Sequence, residues 1–247
     1  MSKVDEMFKA LQEGDIAKVA DLLRSGANVN AGGENGMTPL HLAAAVGLPE
    51  MIGLLLKHGA NPRAIAMGNC TPLQVASYRD MTQAVRLLLE AGADVDACNI
   101  EGTTPLHLAV SNENLEAVEL LLKFGANPCV CDMNGVMLMH LAAHNYNKEM
   151  AGMLLERGAP VNGAASCNLG RTPLHVAAEC GNKDVVELLL KFGANPHARD
   201  VEEKTPLDIV SRFSNPEETK KLLENAMEEK KARTKPPAFM PGLRSQL

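Results

Sequence analysis

Two histidines four residues apart on a helix can share a metal ion, and His140 and His144 have that spacing. A hydrolytic zinc helix of this kind carries a Glu directly after the first His to act as base, whereas Leu141 stands there. His140 also belongs to a series, with His41, His107 and His175, that returns at one phase of a longer pattern. A residue copied from unit to unit answers to folding. These four are expected to hydrogen-bond loop backbone and tie each unit to the next. Cys129 and Cys131 flank a hairpin without partners at zinc-site spacing and read as incidental. No strand pattern exists to carry a glycine-rich phosphate loop, and no nucleophile stands with a base. The residues predict neither an enzyme nor a catalytic metal or cofactor.

The elements that hold these residues repeat. Gly-Ala pairs begin at Gly26, Gly59, Gly92, Gly125, Gly158 and Gly193, at four intervals of 33 residues and one of 35. Thr-Pro-Leu segments start at Thr38, Thr71, Thr104, Thr172 and Thr205, and Met137-Leu138-Met139-His140 fills the gap at the right phase. Each marker has a physical reading. Thr38 can cap a helix, Pro39 sits at the first helical position where its missing N–H costs nothing, and Ala43 and Ala44 are small enough to admit a neighbouring helix. Gly47-Leu48-Pro49 turns the chain. Glu50 to Lys57 then predicts a second helix with an Ile52, Leu55, Leu56 face, and Gly59 suits the left-handed position past its end. The polar residues beyond must return the chain to the next Thr-Pro start, which predicts a protruding hairpin.

Thr104-Pro105-Leu106-His107-Leu108-Ala109, the run Val118 to Leu122 and Gly125-Ala126-Asn127 resemble the ankyrin repeat, and the resemblance covers residues 1 to about 230. It implies an all-α solenoid of stacked helix-turn-helix units with protruding hairpin loops. By phase the units fall at 1–35, 36–68, 69–101, 102–134, 135–169, 170–202 and 203–230. The ends read as caps: Asp5 to Gln12 and Ile16 to Arg24 are amphipathic without a Thr-Pro start, and Pro216 to Lys231 is a charged helix. Residues 231–247 leave the repeat and read as a disordered tail. The final Ser245, Gln246 and Leu247 with a free carboxylate fit the ending that PDZ-type domains capture by strand addition.

Regular positions explain folding, so binding information lies where equivalent positions differ. The resemblance implies that hairpin tips and the inner face of the first helices line a concave groove that grips a partner. In register, the tips and the residues just before each helix offer Met37, Met67, Cys70, Ile100, Glu101, Met133, Asn134, Val136, Leu169 and Arg171. Apolar tips are a poor choice for bare solvent, and Met adapts well at binding surfaces. The first helices end on Tyr78 and Arg79, Ser111 and Asn112, and His144 and Asn145; a Tyr beside an Arg is hot-spot chemistry. Unit five departs twice, lacking Thr and Pro at Met137 and Leu138 and carrying a two-residue insertion between Pro160 and Arg171. Loss of a cap costs about 1 kcal/mol and marks a soft point. Asn30 and Asn162, each in a hairpin eight residues after a Leu, resemble the asparagines that an asparaginyl hydroxylase modifies in ankyrin hairpins.

Composition agrees with close-set helices: the chain has no Trp, two Tyr and five Phe, leaving Leu, Ala, Val, Ile and Met to build the core. A net charge of −6, with no long basic run before the C-terminal end, disfavours nucleic acid and anionic membranes. No window is apolar enough for a membrane span, the first residues are charged, and six cysteines lack paired spacing, so a reduced, cytoplasmic or nuclear protein is expected. The function expected is that of an intracellular adaptor or scaffold holding a protein partner. The alternative is a regulatory inhibitor or assembly chaperone that masks one enzyme or subunit.

Overall fold

The computed structural model describes residues 2–165, 169–210 and 216–234. The C-terminal Ser245, Gln246 and Leu247 lie outside the described residues, as does most of the inserted tip of unit five. Six helix pairs follow one another: α1 (Lys3–Glu13) with α2 (Ile16–Arg24), α3 (Pro39–Val46) with α4 (Pro49–Lys57), and α5 (Pro72–Tyr78) with α6 (Thr82–Glu90). They continue as α7 (Pro105–Ser111) with α8 (Leu115–Lys123), α9 (Leu138–His144) with α10 (Lys148–Glu156), and α11 (Pro173–Cys180) with α12 (Lys183–Lys191). Odd-numbered helices pack on one another in one row and even-numbered helices in a second, giving an all-α solenoid of two layers. Among the described residues the only extended pairing is isolated bridges in two hairpins, Cys131 to Met137 and Ala165 to Arg171.

The seventh unit departs from expectation at both ends. Thr205 opens it, but Pro206–Ile209 makes one turn of 3-10 helix in place of a full first helix. α13 (Pro216–Thr234) then closes the second layer against α12 and runs past residue 231, so the helix claims the start of the expected tail.

The Thr-Pro markers work as helix starts. Thr71 accepts from the Gln74 amide at 3.2 Å and Thr104 from the His107 amide at 3.3 Å, and each Pro fills the first helical position. Leu40, Leu73, Leu106, Met139 and Leu174, two residues after the start in units two to six, are buried. The pairs Ala43–Ala44, Ala142–Ala143 and Ala177–Ala178 are buried beside them, where only small side chains let the next first helix approach. Ile52 and Leu55 face the core of the second layer, as do their equivalents Leu88, Leu121, Leu154 and Leu189. Leu56, expected on that face, is half-buried at its margin.

Hydrogen bonds join the units, and three sets of them recur at fixed phases along the stack. In the first, His41 Nε2 pairs with the Cys70 carbonyl at 3.0 Å, His140 with Arg171 at 2.9 Å and His175 with Lys204 at 3.0 Å. Gln74 takes the same place in unit three, donating to the Thr103 carbonyl at 2.7 Å. His107 faces the Val136 carbonyl, with Nε2 outside bonding geometry. The second set lies at the outgoing turns. Asn30 donates to Gly59, Arg63 to Gly92, Cys129 to Gly158 and Asn162 to Gly193, each to the carbonyl of the next Gly-Ala pair. Asp96 reverses the polarity and accepts from the Asn127 amide at 3.0 Å. The third set links tip to tip: Ile100 N–H to Gly68 O at 3.0 Å, Met133 N–H to Glu101 O at 2.9 Å, and Val201 N–H to Leu169 O at 2.8 Å.

Candidate protein-binding face

The hairpins and first helices make one face of the stack. Three tips owe their shape to a side chain at the start of the turn: Asn99, Asp132 and Asp200 each accept two backbone N–H groups, two and four residues on, at 2.9 to 3.0 Å. An acceptor held this way tightens the turn and pushes the intervening side chains outward. Ile100, Met133 and Val201 are the residues pushed out, and Met67 occupies the same place in unit two. Met67 and Met133 are the most exposed large apolar residues described, at 75% and 76%.

The expected binding residues divide into two groups. Met67, Tyr78, Arg79, Ile100, Glu101, Ser111, Asn112, Met133, Asn134, His144 and Leu169 are exposed. Met37, Cys70, Val136, Asn145 and Arg171 are half-buried and largely occupied with the stack itself. The Cys70 carbonyl is taken by His41, and Asn145 donates to the Val110 carbonyl of the preceding unit at 3.2 Å. Asn112, though exposed, likewise donates to the Tyr78 carbonyl at 2.7 Å.

Arg171 requires a correction as an outward-facing residue. Its side chain is 13% exposed, with Nη1 2.7 Å from Glu179 and Nε 3.4 Å from the buried Asp200 carboxylate. It pins the fifth hairpin to the sixth and to α11. Burial pushes the Asp200 carboxyl up, but the Lys204 and Glu202 amides and the Arg171 guanidinium outweigh it and hold it below the usual range. Asn30 and Asn162, the expected modification sites, have both amide atoms engaged: each donates to the next unit and accepts from it, through Asn61 N–H and Asn195 N–H.

His140 and His144 do not converge. His140 is buried with Nε2 on the Arg171 carbonyl, while His144 is exposed with Nδ1 3.3 Å from Asn145 Oδ1. Elsewhere in the series Nδ1 accepts from the Thr backbone N–H, at 3.2 Å for His41 and 3.1 Å for His175, leaving Nε2 to donate across the unit boundary. Burial pulls the pKa of His41, His107, His140 and His175 below the ordinary value, partly offset by the carbonyls they meet. Met137 has no hydroxyl, and His140 Nδ1 is left buried without a partner.

Three exposed residues escaped the sequence reading. Val201 follows the same tip offset as Ile100 and Met133, so its signal was present two units beyond Met133. Ile65 lies on the arm of the second hairpin, two residues before Met67. Tyr146 has φ +58 where the equivalent residues include Gly47 and Gly181, and its hydroxyl donates to the Cys180 carbonyl. A bulky side chain in the left-handed region is uncommon, and the glycines at the same phase were the available signal.

Comparison with known proteins agrees with this architecture. The family model for ankyrin repeats matches overlapping stretches at 7–99, 65–132, 83–165, 106–200 and 139–234. The ankyrin repeat domain of Bcl-3, described as a unique member of the IkappaB protein family, superposes with TM-score 0.77 and 30% identity over 89% of this chain and 97% of that one. The human ASB11 ankyrin repeat domain gives TM-score 0.74 and 28% identity over 94% of this chain and 99% of that one. Human Rabankyrin-5 is 43% identical over 53 residues, which is 22% of this chain and 4% of that protein. Spanning so small a part of that relative, the chain shares with it a run of repeats rather than a whole architecture. The repeat period, the two-layer stack and the matches along its length together show that this chain belongs to the ankyrin repeat family.

Proposed function

We propose that this protein-protein interaction module grips an intracellular partner along its hairpin tips and first-helix ends, with units three to five at the centre, and serves as an adaptor or scaffold in cytoplasm or nucleus. One observation carries the reading. Of the twelve exposed large apolar side chains described, six lie on the hairpins: Ile65, Met67, Ile100, Met133, Leu169 and Val201. Large apolar residues gathered on one edge of a stack are costly in water and become favourable only when covered. Tip-to-tip backbone bonds hold that edge in place before any partner arrives, which lowers the ordering cost of association. Tyr78 and Arg79 add hot-spot chemistry at the far end of α5.

Affinity capture and cross-linking from cell extract, with wild type beside a Tyr78→Ala, Arg79→Glu variant and an Ile100→Gln, Met133→Gln variant, tests the placement. Both variants alter exposed positions and should fold. Loss of the cross-linked partner with either supports the reading, and unchanged recovery with both overturns it.

A further inference from the structure

Charge is segregated over residues 26–136, from the first hairpin to the fourth, and the segregation points to the chemistry of a partner. Between residues 26 and 136 there are five lysines and arginines. Lys57, Arg86 and Lys123 belong to second helices, and Arg63 lies in an outgoing turn with its Nε bonded to Gly92. Arg79 is thus the one Lys or Arg of this stretch at a hairpin tip or a first-helix end. Against it stand Glu34 and Glu101 on the tips and Asp80 and Glu113 just past the first helices, all exposed and none in an ion pair with a described residue. In order along the stack the tips carry Glu34, the exposed Met67, Ile100 beside Glu101, and the exposed Met133.

We infer that this edge takes a basic, aliphatic segment of a protein partner, in which lysines or arginines alternate with Leu-like side chains. The inference rests on the tips being the binding face and adds what they select. Aliphatic groups would cover Met67, Ile100 and Met133, and the intervening cations would meet Glu34 and Glu101. An acidic segment of equal hydrophobicity would face Glu34 and Glu101 with no tip cation to offset them, and like charges in close apposition are the usual means of rejecting a wrong partner. Because the carboxylates are exposed, the attraction should weaken with salt while the aliphatic contact persists.

Three short synthetic peptides decide the matter against the full chain by fluorescence anisotropy: one of Leu and Lys, one with Glu for Lys, and one with Ser for Leu. The Leu-Lys peptide is expected to bind about tenfold more tightly than either of the others. Ile100→Gln with Met133→Gln should weaken it, and Glu101→Lys should weaken it while strengthening the Leu-Glu peptide. Equal binding of the Leu-Lys and Leu-Glu peptides overturns the inference. So does equal binding of the Ser-Lys peptide, which would mean attraction by charge alone, or no binding of any peptide. If cross-linked partners are lost on tip substitution while the peptides show no preference, the binding face stands and only its proposed chemistry fails.

Discussion

Position 137 offers a direct measure of what the Thr start contributes to a unit. In unit five, Met137 caps α9 without a side-chain hydrogen bond, and the Nδ1 of buried His140 has no partner. The Met side chain has its own seat over the next hairpin: a Cβ placed on Gly163 would fall 2.3 Å from the Met137 sulfur. Met137→Thr and Met137→Val both lose that contact and have nearly the same shape, so their difference isolates one hydroxyl. The hydroxyl oxygen can cap the first turn, worth about 1 kcal/mol. Its proton can reach Nδ1, and a net hydrogen bond to a buried group is worth about 1 kcal/mol again. Thr should therefore be about 1–2 kcal/mol more stable than Val. Urea unfolding followed by far-ultraviolet circular dichroism gives the comparison, and amide exchange in α9 and α10 localises it, since a stack of repeats can open in parts. Equal stability and equal exchange for the two variants would show that unit five manages without a start signal.

Two further outcomes follow from burial. His41, His107, His140 and His175 titrate below the ordinary value in the fold, so the unfolded chain takes up protons that the folded chain refuses. Stability should be full above pH about 6.5 and fall as the pH drops toward and through the lowered values. His41→Gln with His175→Gln, following Gln74, should make that fall less steep; a flat stability profile for wild type across the same range would contradict the assignment. Hydrogen peroxide should convert Met67 and Met133 to sulfoxide well before the buried Met7, Met51, Met139 and Met150, and peptide mass mapping would expose any other order.

Most of the fold is readable from the period, because each marker does a local job: Thr caps, Pro starts, Gly turns. The Leu and Ala positions follow from the same phase. What resists reading is any contact whose two halves come from different units. Arg171 looks like one more variable residue before a helix, and nothing near it in sequence announces that Glu179 and Asp200 will enclose it. The bonds at the outgoing turns are hidden for another reason: Asn, Arg, Asp and Cys all serve there, so no residue type marks the place. The seventh unit misleads in the opposite way. Its Thr-Pro-Leu is intact, yet only one turn of helix follows.

That variety at the outgoing turns gives the stack joints that can be opened one at a time. At its outgoing turn the joint between units four and five uses a thiol, Cys129, which is exposed and meets the Gly158 carbonyl at 3.4 Å, while the neighbouring outgoing turns use groups that ignore thiol reagents. Alkylating it would cut one rung and leave the others. The same junction is followed by the one internal unit that lacks a Thr-Pro start. Loaded from its two ends, the molecule should part there first, into a front portion that keeps Met67, Ile100 and Met133 together and a rear portion that keeps Val201.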